Sequence, residues 1–149
     1  MGLENGIYIR PKTARAENYL FDNWEDIALN EAFKLEDEFE LIAYQIAYFR
    51  RYWGLRSDIL TALGMTKEEQ EDPDLCGERS VNRLQFKAIY DILCKNIEKD
   101  YYEENNGYWE YYIAARNLGN AIWIIGCMID DFDALNLWDE IELGFYDSP

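Results

Sequence analysis

Apolar residues recur at spacings of three and four along three long segments of the chain, and this period constrains the fold more than any other feature. The segments are residues 36–53, 80–104 and 108–130. A period near 3.6 places such residues on one face of an α-helix. In the first segment the stripe consists of Phe39, Ile42, Ala43, Ile46, Phe49 and Trp53. The pattern predicts three long helices that pack through these faces.

Shorter signals between the long segments are also helical. Thr66 and Glu69 have the spacing of a capping box, and Thr13 can cap a short helix that follows it. Residues 1–12 alternate weakly and contain Pro11, which favours an extended arm or a short edge strand. We therefore predict an all-α fold in which residues 1–149 form a single compact helical domain of three long and several short helices. Residues 143–149 are expected to form a frayed tail.

Charge is the second constraint. The chain carries 30 acidic and 14 basic residues, no histidine, and a formal net charge of −16. The absence of histidine excludes histidine metal sites and Ser-His-Asp triads. Such a surplus of carboxylates argues against direct binding to nucleic acid or to an anionic membrane. Residues 101–149 hold 10 acids and a single base, Arg116, so this third of the chain carries more than half of the net charge.

The cysteines and the longest apolar run indicate a cytoplasmic protein. Cys76, Cys94 and Cys127 are odd in number and form no C-x-x-C pair, as expected for reduced thiols. The longest apolar run, residues 121–129, is far shorter than the roughly 20 residues that cross a bilayer. The first residues show no signal peptide.

The stretch around residues 98–112 combines carboxylates with tyrosine and tryptophan. Aromatic anchors among charges are typical of protein interfaces, because the charges steer the encounter and the rings supply contact area. Carboxylates spaced along a helix also resemble a row of phosphates. The candidate partner-binding residues are Asp100, Glu103, Glu104, Tyr108, Trp109 and Glu110, with Asp130, Asp131 and Asp133 as a second patch.

This pattern favours an acidic protein that binds and inhibits a basic, nucleic-acid-binding or nucleic-acid-cleaving partner through nucleic-acid-like charge. Phage proteins against CRISPR or restriction systems and immunity proteins against nuclease toxins belong to this class. The interpretation requires no cofactor. The alternative is that the acidic surface only keeps the protein in solution.

A second functional hypothesis is a Mg²⁺-dependent enzyme. Asp37 with Glu40, and Asp130 with Asp133, lie three residues apart, so each pair can present oxygen ligands on one helix face. The arrangement resembles that of all-α nucleotide pyrophosphohydrolases, which use acidic pairs on adjacent helices. Those enzymes favour Glu-x-x-Glu followed by Glu-x-x-Asp, and both pairs of this chain depart from that pattern.

Three arginines interleave with aromatic residues at Arg50, Arg51 and Arg56, as in a single-strand-binding platform. Because the surrounding chain is so acidic, we expect these arginines instead to pair with carboxylates on neighbouring elements, or to lie at a helix C-terminus where the helix dipole favours cations.

Overall fold

The two ends of the chain meet in the middle of an antiparallel sheet. A computed structural model describes residues 4–34, 42–50, 53–99 and 109–148. Its strands are β1 (Glu4–Pro11), β2 (Ala32–Lys34), β3 (Ile42–Arg50), β4 (Gly77–Val81) and β5 (Ile141–Ser148). Its α-helices are α1 (Ala14–Glu31), α2 (Trp53–Ala62), α3 (Lys67–Glu71), α4 (Arg83–Lys99) and α5 (Trp109–Leu135), and short 3-10 turns cover Pro73–Leu75 and Trp138–Glu140. The strand order is β2-β3-β1-β5-β4.

The all-α prediction is therefore wrong, and the central strands explain why. β1 pairs with β3 on one side and with β5 on the other, so residues from opposite ends of the chain share its backbone hydrogen bonds. Ile7 and Ile9 are two residues apart and share one face of β1. They pair with Phe145 and Leu143 of β5, and all four side chains are buried. A strand of four to eight residues is difficult to detect in a sequence, because the residues that stabilise it by pairing lie far away in the chain.

The helix predicted over residues 36–53 is also wrong. Its described part is β3 together with Trp53, the first residue of α2. The register between β1 and β3 shifts where Ile7 pairs with Ala47 and Tyr8 with Gln45. Ile46 is the additional residue in β3, and it is buried. A bulge interrupts strict alternation, so buried residues follow one another at spacings other than two. Such a strand produces the spacing of three that resembles a helix.

The ends of the chain differ from expectation in the same way. The arm predicted over residues 1–12 contains β1, which is an internal strand rather than an edge strand. Pro11 fits there because it is the last residue of β1, opposite Ile141. The segment 143–149, expected to fray, contributes residues 143–148 to β5, which is internal as well.

The other two long helices are confirmed with shifted ends. The segments 80–104 and 108–130 correspond to α4 and α5. Asn82 caps α4, since its Oδ1 accepts from the Gln85 backbone N–H at 2.8 Å and Gln85 Oε1 accepts from the Asn82 N–H at 2.9 Å. The capping box of Thr66 and Glu69 is present at the start of α3.

The helices pack into one core with the sheet. α5 contacts β3 and α4, while α1 contacts β3 and α2 contacts α4. Phe86 of α4, Phe132 of α5 and Phe145 of β5 are fully buried in the same cluster. No helix in the described part of the chain is long and apolar enough to cross a membrane.

Candidate binding surface

Most of the acidic and aromatic residues predicted to bind a partner lie outside the described part of the chain. These are Asp100, Glu103, Glu104 and Tyr108, and the side chains of Trp109 and Glu110 at the start of α5. Asp37 and Glu40, the first predicted metal pair, lie outside it too. The structure therefore describes the surroundings of Asp130, Asp131 and Asp133 only.

Asp133 is held by an intramolecular cluster at the end of α5. Its Oδ1 accepts hydrogen bonds from Arg83 Nη2 and from the Trp138 indole N–H, both at 2.8 Å, and Oδ2 accepts from Lys87 Nζ at 3.2 Å. Arg83 and Lys87 also lie near the Trp138 ring, 5.4 and 5.8 Å from its centroid. The indole and Lys87 hydrogen bonds lower the pKa of Asp133. We call these four residues the Trp138 cluster, and it joins α5 to α4.

Asp131 faces a different helix. The Tyr19 hydroxyl donates to Asp131 Oδ2 at 2.5 Å, and the Trp24 indole N–H donates to the Tyr19 hydroxyl oxygen at 3.2 Å. Burial raises the pKa of Tyr19, and the hydrogen bond to Asp131 raises it further. This chain of hydrogen bonds joins α1 to α5. Of the three nominated aspartates, only Asp130 is exposed without an ion pair or hydrogen bond to another described residue.

The expectation that Arg56 pairs with a carboxylate is confirmed. Its Nε and Nη2 donate to Asp147 Oδ1 and Oδ2 at 2.8 and 3.0 Å, and Nη2 also donates to the Gln70 carbonyl at 2.7 Å. Asn5 Nδ2 donates to Asp147 Oδ1 at 2.7 Å. Arg56 and Asp147 are both buried. Because several donors satisfy the carboxylate, this pair joins β1, β5 and α2 rather than offering a free charge.

In the remaining ion pairs, too, basic side chains are bound to carboxylates of the same chain. Arg10 lies 3.5 Å from Glu78 and 3.4 Å from Glu142, and Arg15 lies 2.5 Å from Glu140. Among the basic side chains that the structure describes, Lys12, Lys67, Arg79 and Lys95 form no ion pair. Exposed carboxylates with no ion pair in the described ranges are more numerous: Glu17, Asp22, Asp58, Glu68, Glu69, Glu71, Asp72, Asp74, Asp91, Asp130 and Asp139. Carboxylates of the same chain neutralise most of the described arginines, and the other carboxylates keep their negative charge. The surface described by the structure is therefore acidic.

A groove of about 680 Å³ lies between α4 and α5. Tyr90 and Asp91 line it from α4, and Gly119, Trp123 and Asp130 line it from α5. Trp123 is 60% exposed, and its ring packs edge-on against Trp24 with centroids 5.3 Å apart. The further lining residues are Lys87, Ile122, Gly126, Cys127 and Ile129. An exposed tryptophan in a groove that carboxylates also line is a typical anchor for a binding partner.

Two glycines shape this groove, and they signal its presence in the sequence. A Cβ on Gly126 would lie 3.1 Å from the Tyr90 ring, so the glycine lets Tyr90 approach α5. A Cβ on Gly119 would meet no other atom within 4 Å, so the space above it is open. Glycine is costly inside a helix, and its occurrence there often has a packing reason. Neither glycine is among the residues predicted from the sequence to form a site.

Comparison with protein-family models, curated proteins and solved structures gave no match. No group of three or more possible metal ligands occurs among the described residues.

Proposed function

We propose that this chain is a non-enzymatic, acidic binding protein whose partner is a basic protein that binds or cleaves nucleic acid. The observation that carries the proposal is the distribution of ion pairs. Arg10, Arg15, Arg56 and Arg83 are engaged by carboxylates of the same chain, whereas eleven exposed carboxylates in the described ranges have no ion pair. A surface of that kind attracts cations and repels nucleic acid and anionic lipid.

The proposed mechanism is occupation of the partner's phosphate sites. Carboxylates would take the place of phosphates, and tyrosine and tryptophan would supply desolvated contact area. The proposed contact residues are Asp100, Glu103, Glu104, Tyr108, Trp109, Glu110 and Asp130. Asp131 and Asp133 support this surface by holding α1 and α4 against α5.

This mechanism suits phage proteins that block bacterial defence nucleases and immunity proteins that block nuclease toxins. We further propose a cytoplasmic location, which is supported by the three cysteines being free.

The competing explanation is that the carboxylates only keep the protein in solution, and two matched variants separate the possibilities. The first replaces Asp100→Asn, Glu103→Gln and Glu104→Gln, and the second replaces Glu68→Gln, Glu71→Gln and Asp74→Asn. Each removes three carboxylates, so the net charge changes equally. We expect the first to weaken binding to a basic nuclease about tenfold or more, and the second by less than about twofold.

Binding is measured by titration against purified basic nucleases and DNA-binding proteins in a salt series, with duplex DNA as competitor. Displacement by DNA and weakening by salt are expected because the same cationic sites are used. Equal losses from the two triple variants, or binding that DNA does not displace, would contradict charge mimicry at residues 100–104.

The magnesium hypothesis is not carried forward. It assumed the all-α framework of the pyrophosphohydrolases, and that framework is wrong. Asp133, one of its four proposed ligands, accepts hydrogen bonds from Arg83, Lys87 and Trp138 instead. These two cations and the neutral indole N–H occupy the carboxylate oxygens of Asp133 that Mg²⁺ would require.

A further inference from the structure

The groove between α4 and α5 combines an exposed aromatic face with negative charge. Trp123 forms one wall and Tyr90 lies opposite, against Gly126. A volume of about 680 Å³ admits one long side chain together with neighbouring apolar groups. Open space above Gly119 continues the groove along α5.

The charge at the rim of this groove is not neutralised by any described residue. Asp91 and Asp130 are exposed, and no ion pair in the described ranges reaches either of them. The hydrogen bond with Cys94 is the main cause that raises the pKa of the Tyr90 hydroxyl. The negative charges of Asp91 and Asp130 raise this pKa further, so both carboxylates act on Tyr90. Lys87, the cation on the same rim, is directed to Asp133 at 3.2 Å. The groove therefore attracts a cation from outside the chain.

The Trp138 cluster provides an internal example of the same recognition. There an indole ring and the carboxylate of Asp133 hold Arg83, with the guanidinium carbon 5.4 Å from the ring centroid and Nη2 2.8 Å from Oδ1. In the groove, Trp123 supplies the ring, and Asp91 and Asp130 supply carboxylates. Lys87 also lines the groove, but its ammonium group is bound to Asp133, so no described cation forms an ion pair with Asp91 or Asp130.

We propose that this groove binds an arginine side chain carried on an apolar segment of the basic partner, an inference that rests on the proposed function. The guanidinium plane stacks on Trp123 and donates to Asp91 and Asp130, while the apolar neighbours of the arginine contact Ile122 and Ile129. Arginine fits better than lysine because its guanidinium group is planar, weakly hydrated, and able to stack and donate at the same time. The groove would thus select partners that carry such an arginine, whereas the acidic surface attracts basic partners in general.

The test uses a short, acetylated and amidated peptide of leucine, alanine and one central arginine. Its twin carries citrulline, which keeps the shape of arginine and removes the charge. Binding is followed through the indole N–H signal of Trp123 in NMR spectra, assigned with Trp123→Phe. We expect the arginine peptide to shift this signal and to bind about tenfold more tightly than the citrulline peptide. Equal affinities would overturn the proposal.

Three variants locate the binding. Asp91→Asn with Asp130→Asn should weaken the arginine peptide about tenfold and leave the citrulline peptide unchanged. Glu68→Gln with Glu71→Gln removes the same charge from side chains that do not line this groove, and should change the affinity by less than about twofold. Gly119→Leu should fill the groove and abolish binding of both peptides. An equal loss in the two double variants would show that net charge, not the groove, binds the peptide.

The aspartate variants keep the test valid if Gly119→Leu does not fold, since both replacements are isosteric and exposed. Failure of the inference is also distinct from failure of the proposed function. Suppose the peptide does not bind, while the triple variant at residues 100–104 still binds a basic nuclease more weakly than wild type does. The groove is then excluded as an arginine site, and the proposed function as an acidic binding protein remains. If the peptide binds in the groove and no basic nuclease binds the chain, the proposed function fails. The inference then fails too, because it places the arginine on such a basic partner.

Discussion

The Trp138 cluster and the groove at Trp123 use the same chemistry with opposite outcomes. In the cluster, the indole and Asp133 are saturated by Arg83 and Lys87, so the interaction joins two helices. In the groove, Trp123 remains 60% exposed beside Asp91 and Asp130, which have no ion pair in the described ranges. An acidic residue at these sites is therefore structural or available for binding according to whether a hydrogen-bond donor or a cation of the same chain reaches it.

The largest expected effect concerns a saturated pair that is also buried. Asp147→Ala should lower the free energy of unfolding by about 3–5 kcal/mol, because Arg56 would remain buried without its counter-charge. Urea denaturation measures the change. The double variant Arg56→Met with Asp147→Leu is the control, and it should recover most of the loss since apolar side chains of similar volume need no partner. A loss below about 1 kcal/mol in Asp147→Ala would show that water satisfies Arg56.

An intermediate effect distinguishes filled from open space at two glycines. A Cβ on Gly144 would lie 2.1 Å from the Tyr8 ring, whereas one on Gly119 would meet nothing within 4 Å. Gly144→Ala should destabilise the protein by about 1–3 kcal/mol, because the ring must move. Gly119→Ala should stabilise it by about 0.5–1 kcal/mol, since alanine is favoured inside a helix. The two unfolding midpoints measured under identical conditions give the comparison, and a shift in the same direction for both would refute it.

The smallest effect separates two aspartates three residues apart on α5. Asp133→Asn should lower stability, because the charged form accepts from Arg83, Lys87 and Trp138, whereas Asp130→Asn should leave stability unchanged. The pKa of Asp133 is lowered below its ordinary value in the folded protein, so its contribution to stability is present above the unfolded-state pKa and is lost as the pH falls through the folded pKa. Unfolding curves for wild type and Asp133→Asn should therefore converge in acid. A constant difference at all pH values would contradict this assignment.

Local features of the fold were predictable from the sequence. The capping box of Thr66 and Glu69 and the cap at Thr13 involve residues three apart, and both are present, with Thr13 Oγ1 accepting from the Ala16 N–H at 3.2 Å. The short helix expected after Thr13 is part of a longer segment, α1, which has a kink at Trp24. α4 and α5 were predictable because their apolar faces repeat over many turns.

The candidate site was only partly predictable. Composition indicates that carboxylates exceed bases, but not which carboxylates are engaged. Asp130, Asp131 and Asp133 are neighbours in the sequence, yet they face the groove, Tyr19 and the Trp138 cluster respectively. The residues that the sequence analysis missed, Tyr90, Asp91 and Trp123, come together only because α4 packs on α5.

The sequence by itself determined the surplus of negative charge, the absence of histidine chemistry, two long helices and their local caps, because these depend on composition or on residues within one or two turns. Only the tertiary structure decided the sheet, the bulge at Ile46 and the pairing of Asn5 with Asp147, which are 142 residues apart. Strand pairing and ion pairing between distant residues gain their free energy from contacts that form only when the whole chain is folded. The same contacts determine which carboxylates remain free to meet a partner.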